Sequence, residues 1–145
     1  MYTVADIEDQ IVAVLKASDD LTKICPTVES YGGQLDALAR EVRTLTVFLP
    51  AVFLLYARSE FSEAANQSFD ESITFTAVVI DKNLRGLSDL KAGAYGLLQL
   101  VRSILIGNDL GMSIEPIHPL SVESLVIQEE MAVYAFDFKT SQSLD

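Results

Sequence analysis

The residues able to do chemistry are few and stand apart. His118 is the only histidine, so a multi-histidine metal site is excluded, and it lies between Pro116 and Pro119, away from any serine or cysteine motif. Cys25 is the only cysteine. It has no CxxC partner, permits no internal disulfide and fits a reducing compartment. No G-x-S-x-G element surrounds a serine. Neither G-x-G-x-x-G nor a P-loop is present, and Gly93 with Gly96 makes only a GxxG, which lets a neighbouring backbone pack close. The pairs Asp19-Asp20, Asp70-Glu71 and Glu129-Glu130 are adjacent in sequence, which suits turns and surfaces before acid–base work. Asp81-Lys82-Asn83 resembles half a calcium loop and lacks the rest. Catalysis is therefore not expected, and no cofactor or metal site is expected either.

Composition narrows the partners. The chain has 145 residues, half of them hydrophobic and about a fifth charged, which suits one globular domain with a real core. A net charge of −11 argues against nonspecific nucleic-acid binding, which needs a dense basic surface, and disfavours an anionic membrane. Seven of the ten basic residues fall between Arg40 and Arg102. An acidic end near a basic middle helps copies of one chain attract each other head to tail, although solvated surface charge accounts for any single residue. The N-terminus has no basic stretch followed by an apolar core, so no signal peptide is expected. The apolar run Leu45–Tyr56 is too short to span a bilayer and contains Pro50.

The organising element is a central amphipathic helix at about Ala92–Ile106. Ala94, Leu97, Leu98, Val101, Ile104 and Leu105 recur at spacings of three and four, and Gly107 follows the last turn. An N-terminal helix at about Val4–Ala17 is expected, with Thr3 and Asp6 forming a capping box and Ile7, Ile11, Val14 and Leu15 as its apolar stripe. A short turn from Ser18 to Lys23 and a weak strand Thr27–Tyr31 follow. Leu35–Val42 reads as a short helix. Thr44–Leu49 and Ala51–Arg58 read as strands split by Pro50, the second apolar on both faces like a central strand. Glu71–Asp81 alternates cleanly, with Ile73, Phe75, Ala77 and Val79 to one side. Residues 81–91 read as a polar connection. The prolines hold Ile114–Leu120 extended and out of any central ladder. A hairpin of Val122–Gln128 and Met131–Thr140, turning at Glu129-Glu130, closes the chain, with the tail from Ser141 frayed. The fold class is α+β: one domain over residues 1–145, a mixed or mostly antiparallel sheet packed by the two helices and ending in a C-terminal β-hairpin.

Between the two long strands, Ser59–Ser72 is polar and reads as a long exposed loop. Phe61 and Phe69 are its exceptions. They either fold back onto their own sheet or anchor a partner. With Arg58 and Arg85 from the basic middle, they are the candidate protein–protein contacts.

The order of elements resembles the small tail-completion proteins of Mu-like contractile-tailed phages, in the family named for the product of phage Mu gene 37. The resemblance is carried by VADIEDQIVAVLKA in the opening helix and by Leu49-Pro50-Ala51-Val52 entering a strand that ends near Tyr56-Ala57. It continues with TFTAVVIDKN running into Leu84-Arg85-Gly86. Gly93-Ala94-Tyr95-Gly96-Leu97-Leu98 then leads to Val101-Arg102 and Leu105-Ile106-Gly107, and VYAFDFKT forms the last strand. It implies a virion protein of the tail terminator type, assembled in the bacterial host cytoplasm. A six-fold ring would cap the tail tube, contact tube and sheath protein, and present a surface to a head-completion or neck protein, as in the collar of a tail-like bacteriocin. The family has no catalytic residues to carry over. The alternatives are another neck or baseplate adaptor of the same particle, a ligand-binding α+β domain from outside any phage, and an enzyme with an unrecognised site.

Overall fold

A computed structural model of the protein describes residues 1–32, 49–82, 87–127 and 131–144, the side chains of 87–92 excepted. The elements are α1 (Val4–Lys16), α2 (Asp19–Ile24), β1 (Thr27–Ser30), β2 (Ala51–Glu63), β3 (Phe69–Lys82), α3 (Leu87–Leu105), β4 (His118–Ile127) and β5 (Met131–Leu144). Among the described residues five strands make one mixed sheet in the order β1-β2-β3-β5-β4. The β1–β2 pair is parallel and the other three are antiparallel. The short helix, the first strand and the turn expected at Leu35–Val42, Thr44–Leu49 and Glu129-Glu130 fall, Leu49 apart, outside the described residues.

The chain forms α1 where the sequence asks for it. The Thr3 hydroxyl accepts from the Asp6 amide at 3.1 Å, and the Asp6 carboxylate accepts from the Thr3 amide at 3.0 Å. Ile7, Ile11 and Leu15 are completely buried, each contributing about 1.5–3 kcal/mol by leaving water. Ser18 caps α2 through the Leu21 amide. In α3, Ala94, Leu97, Leu98, Val101 and Leu105 are buried as the spacing requires, Ile104 packs half-buried against them, and Gly107 has the positive φ of a helix-ending residue. The helix starts earlier than expected. Residues 87–91 are its first turns and not part of a polar connection.

One face of the sheet receives this helix layer, with α1 over β1 and β2 and α3 over β3 and β5. Ile73, Phe75, Ala77 and Val79 of β3, with Ala132, Tyr134, Phe136 and Phe138 of β5, are buried there. A second buried cluster, Leu49, Ala51, Phe53, Val78, Ile80 and Val133, occupies the other face. This explains why β2 is apolar on both sides: it is an interior strand with a core on each face.

Two sequence-based expectations fail here. The stretch 59–72 is no loop. β2 runs to Glu63 and β3 starts at Phe69, so the two strands pair to the tip and only residues 64–68 turn. Asn66 takes the left-handed conformation that asparagine tolerates. The strands continue past the helix layer, where neither face is buried, and an apolar alternation is not needed there. The tail is not frayed either. Residues 141–144 extend β5 against residues 69–72 of β3, and Gln142 is buried.

Candidate interaction surface

Past the helix layer β2 and β3 form an extension that leaves the body of the domain, flanked on one side by the end of β5. Its base is fixed by Gln142. The Gln142 side chain accepts from the Tyr2 amide at 2.9 Å and donates to the Tyr2 carbonyl and to Glu71 Oε1, both at 2.9 Å. The Tyr2 hydroxyl accepts from the Ser113 amide at 3.1 Å. One buried amide thus joins the N-terminus, β5 and the extension. Its position in a tail expected to fray hid it from a sequence reading.

The register places the exposed aromatics. Phe61 is opposite Glu71 and Phe69 is opposite Glu63, and residues two apart share a face. Phe61 and Phe69 therefore point to the same side, the side of the helix layer but beyond its end. They are 62% and 49% exposed. Of the two alternatives left open by the sequence, folding back onto the domain is not what occurs. Arg58 is exposed and pairs with Glu60 at 3.0 Å, an exposed ion pair of small energetic value. By the register Arg58, opposite Thr74, lies on the other face of the sheet from Phe61 and Phe69, and Arg85 falls outside the described residues.

The second exposed apolar feature was not signalled as a surface by the sequence. Every residue of β4 is exposed, including Leu120, Val122, Leu125, Val126 and Ile127, each between 37% and 50%. The strand is held through β5, with one-residue bulges at Leu120 and Leu125. An exposed, apolar edge strand is a pairing template that isolated proteins normally blunt. Pro119 sits in it at the edge, where proline is tolerated.

The residues with chemical potential stay apart. Cys25 is buried and its thiol donates to the Thr27 carbonyl at 3.2 Å. Burial pushes this thiol up to about 11, so it remains a poor nucleophile. His118 starts β4 and lines an open polar cleft with Asp70, Glu115 and Lys139. Asp81 is buried at the end of β3 and accepts from the Lys82 amide at 2.8 Å. Burial raises its carboxyl above the ordinary carboxylate range. Its Oδ2 lies against Gly93, where an added Cβ would collide with it. What approaches Gly93 is thus a side-chain oxygen and not the neighbouring backbone expected of the GxxG, and Gly96 has open space. Among the described residues no group of three or more acids, histidines or cysteines is arranged to hold a metal. No helix among them is long and apolar enough to cross a membrane.

A family model described as "Bacteriophage Mu, Gp37" matches residues 3–143. The chain belongs to that family. It is therefore a phage-type structural protein, and the expected resemblance holds over nearly its whole length. A chain of a solved structure titled "Virion of native gene transfer agent (GTA) particle" shares the fold, with a TM-score of 0.66 over 99% of this chain and 100% of that one, at 16% identity. Comparison with curated proteins finds no match. The family match spans α1 through β5, so the extension and the exposed β4 edge both lie within the matched region.

Proposed function

We propose that the protein is a tail terminator of a contractile phage tail or a tail-like bacteriocin. In this reading copies of the chain close into a ring, six in number, on the last disk of the tail tube. The ring ends tube growth and offers its other side to a head-completion or neck protein, with the sheath as a further neighbour. It acts by binding alone, without catalysis, cofactor, membrane or nucleic-acid recognition, and assembles in the bacterial host cytoplasm. Membership of the Mu family over residues 3–143 carries the reading.

The surface chemistry supports it. Exposed phenylalanines on a projecting extension and an uncovered apolar edge strand suit a protein that is finished only by its neighbours. A ring needs two different patches per copy, and closure limits its growth. The likeness to a chain of a virion particle agrees with the same setting. The test is the mass of the purified chain in solution, followed by addition to polymerising tube protein. A closed oligomer that binds tube ends and stops elongation is expected. A monomer that leaves elongation unchanged would overturn the proposal.

A further inference from the structure

Among the described residues the sheet leaves two stretches of main chain without a neighbouring strand. At one side β1 pairs with β2 over Ala51 to Leu54, and the Tyr31 amide donates to the Leu54 carbonyl. From residue 56 to 63 the outer edge of β2 is open among the described residues. At the other side β4 is the last strand, and among the described residues its outer edge is open over its whole length. Resting on the ring reading above, we propose that these edges pair between copies: β4 of one subunit adds to the extension of β2 in the next.

The directions agree without turning either copy. β2 is antiparallel to β3, β3 to β5 and β5 to β4. β4 therefore runs opposite to β2, and setting it beside β2 of a like-oriented copy makes an antiparallel pair.

The bulges fix the register. On β4 the residues on the helix side are Val122, Ser124 and Ile127, opposite Phe136, Tyr134 and Ala132. Their spacing of two and then three comes from the bulge at Leu125. On β2 the helix-side residues are Phe61, Ser59 and Tyr56, opposite Glu71, Ile73 and Phe75, and the bulge at Ala57 gives the same two-then-three spacing in reverse. Val122 then faces Phe61, Ser124 faces Ser59 and Ile127 faces Tyr56 of the neighbour. Sliding by two residues one way sets Ile127 opposite Arg58, which belongs to the other face. Sliding the other way sets it opposite Leu54, where β1 already sits. All four apolar members of the matched register are exposed in the single chain, and cross-strand contact covers each with another. On the opposite face the seam brings Glu123 against Glu60. Arg58, already 3.0 Å from Glu60, supplies the cation between them.

The stagger is compatible with closure. Through Phe136 and Ala77, Val122 is level with Leu54 of its own chain and would face Phe61 of the next. Each copy then steps about 20 Å along the strands while four strands advance about 19 Å across. That sets the strands at about 45° to the ring axis, close to the tilt at which sheets close on themselves.

Cysteine pairing across the seam tests this. Ser59→Cys and Ser124→Cys are conservative, and Cys25 is buried and does not compete. After mild oxidation the double variant is expected to run as a ladder of covalent multimers, while each single variant runs as a monomer. A mixture of the two single variants is expected to give covalent dimers. A covalent dimer from Ser124→Cys alone would mean that β4 pairs with itself, and would overturn the inference. A double variant that shows the mass of a closed oligomer but no cross-links would overturn the seam and leave the ring standing. A chain that remains monomeric by light scattering at every concentration would remove both.

Discussion

Replacing Phe61 by serine separates the fold from the assembly. A phenylalanine side chain taken wholly out of water gains about 1.5–3 kcal/mol. Phe61 is 62% exposed, so its own chain already provides roughly 0.6–1.1 kcal/mol of that, and roughly 0.9–1.9 kcal/mol is left for a neighbour. Phe61→Ser is expected to lower the melting temperature of the single chain by only about 1–4 °C. Each subunit contact should weaken by about 5- to 25-fold, and a closed ring loses every contact at once. Adding Phe69→Ser should deepen the assembly defect while the fold stays intact. The control is Phe75→Ala, a completely buried ring whose loss should cost about 3–5 kcal/mol. Thermal melting and light scattering on the same samples read both quantities. A Phe61→Ser chain that melts as low as the Phe75→Ala chain, or one that assembles like the parent, would refute the reasoning.

Leu98→Asp or Leu105→Asp would bury an unpaired carboxylate beneath α3 and should leave no soluble folded protein, while Leu105→Ala should cost about 2–5 kcal/mol in chemical denaturation. Burial raises the Asp81 carboxyl, so folding favours its protonated form, and stability falls as pH rises from its ordinary 3.8 through the raised folded value. Asp81→Asn should therefore raise the melting temperature at neutral pH, with the gain vanishing below about pH 4; no gain at neutral pH would contradict this. Gln142→Ala removes three hydrogen bonds from a buried seam and should cost about 1.5–4 kcal/mol, with faster amide exchange at Tyr2. Cys25→Ser with His118→Gln should leave assembly and tail-length control intact; loss of either function in a normally folded variant would place one of them in a site.

Elements that bury one face were legible in the sequence. The Ile7, Ile11 and Leu15 stripe, the Ala94 to Leu105 stripe and the alternation from Ile73 to Val79 each state a period and a buried side. The extension was not legible, because residues 59–72 pair where both faces meet solvent and carry no apolar period. Its turn residues gave no sharp signal either: Asn66 and Gln67, both at positive φ, stand without a glycine. Ser141 to Leu144 looked like a polar tail because the hydrogen bonds of Gln142 are to Tyr2 and Glu71, distant in sequence. The candidate contacts were legible as types. Phe61 and Phe69 stood out against polar neighbours, but only the register shows that they share a face. The β4 edge was misleading in a different way: Val122 to Ile127 looks like an ordinary apolar strand, and only sheet order reveals that it is an exposed edge among the described residues.

Tail length measured by electron microscopy, in particles assembled with and without this chain, tests the terminator reading most directly. With the chain, tubes of one defined length joined to heads are expected. Without it, tubes should continue past that length and remain headless. Tails of unchanged, uniform length in its absence would contradict the account.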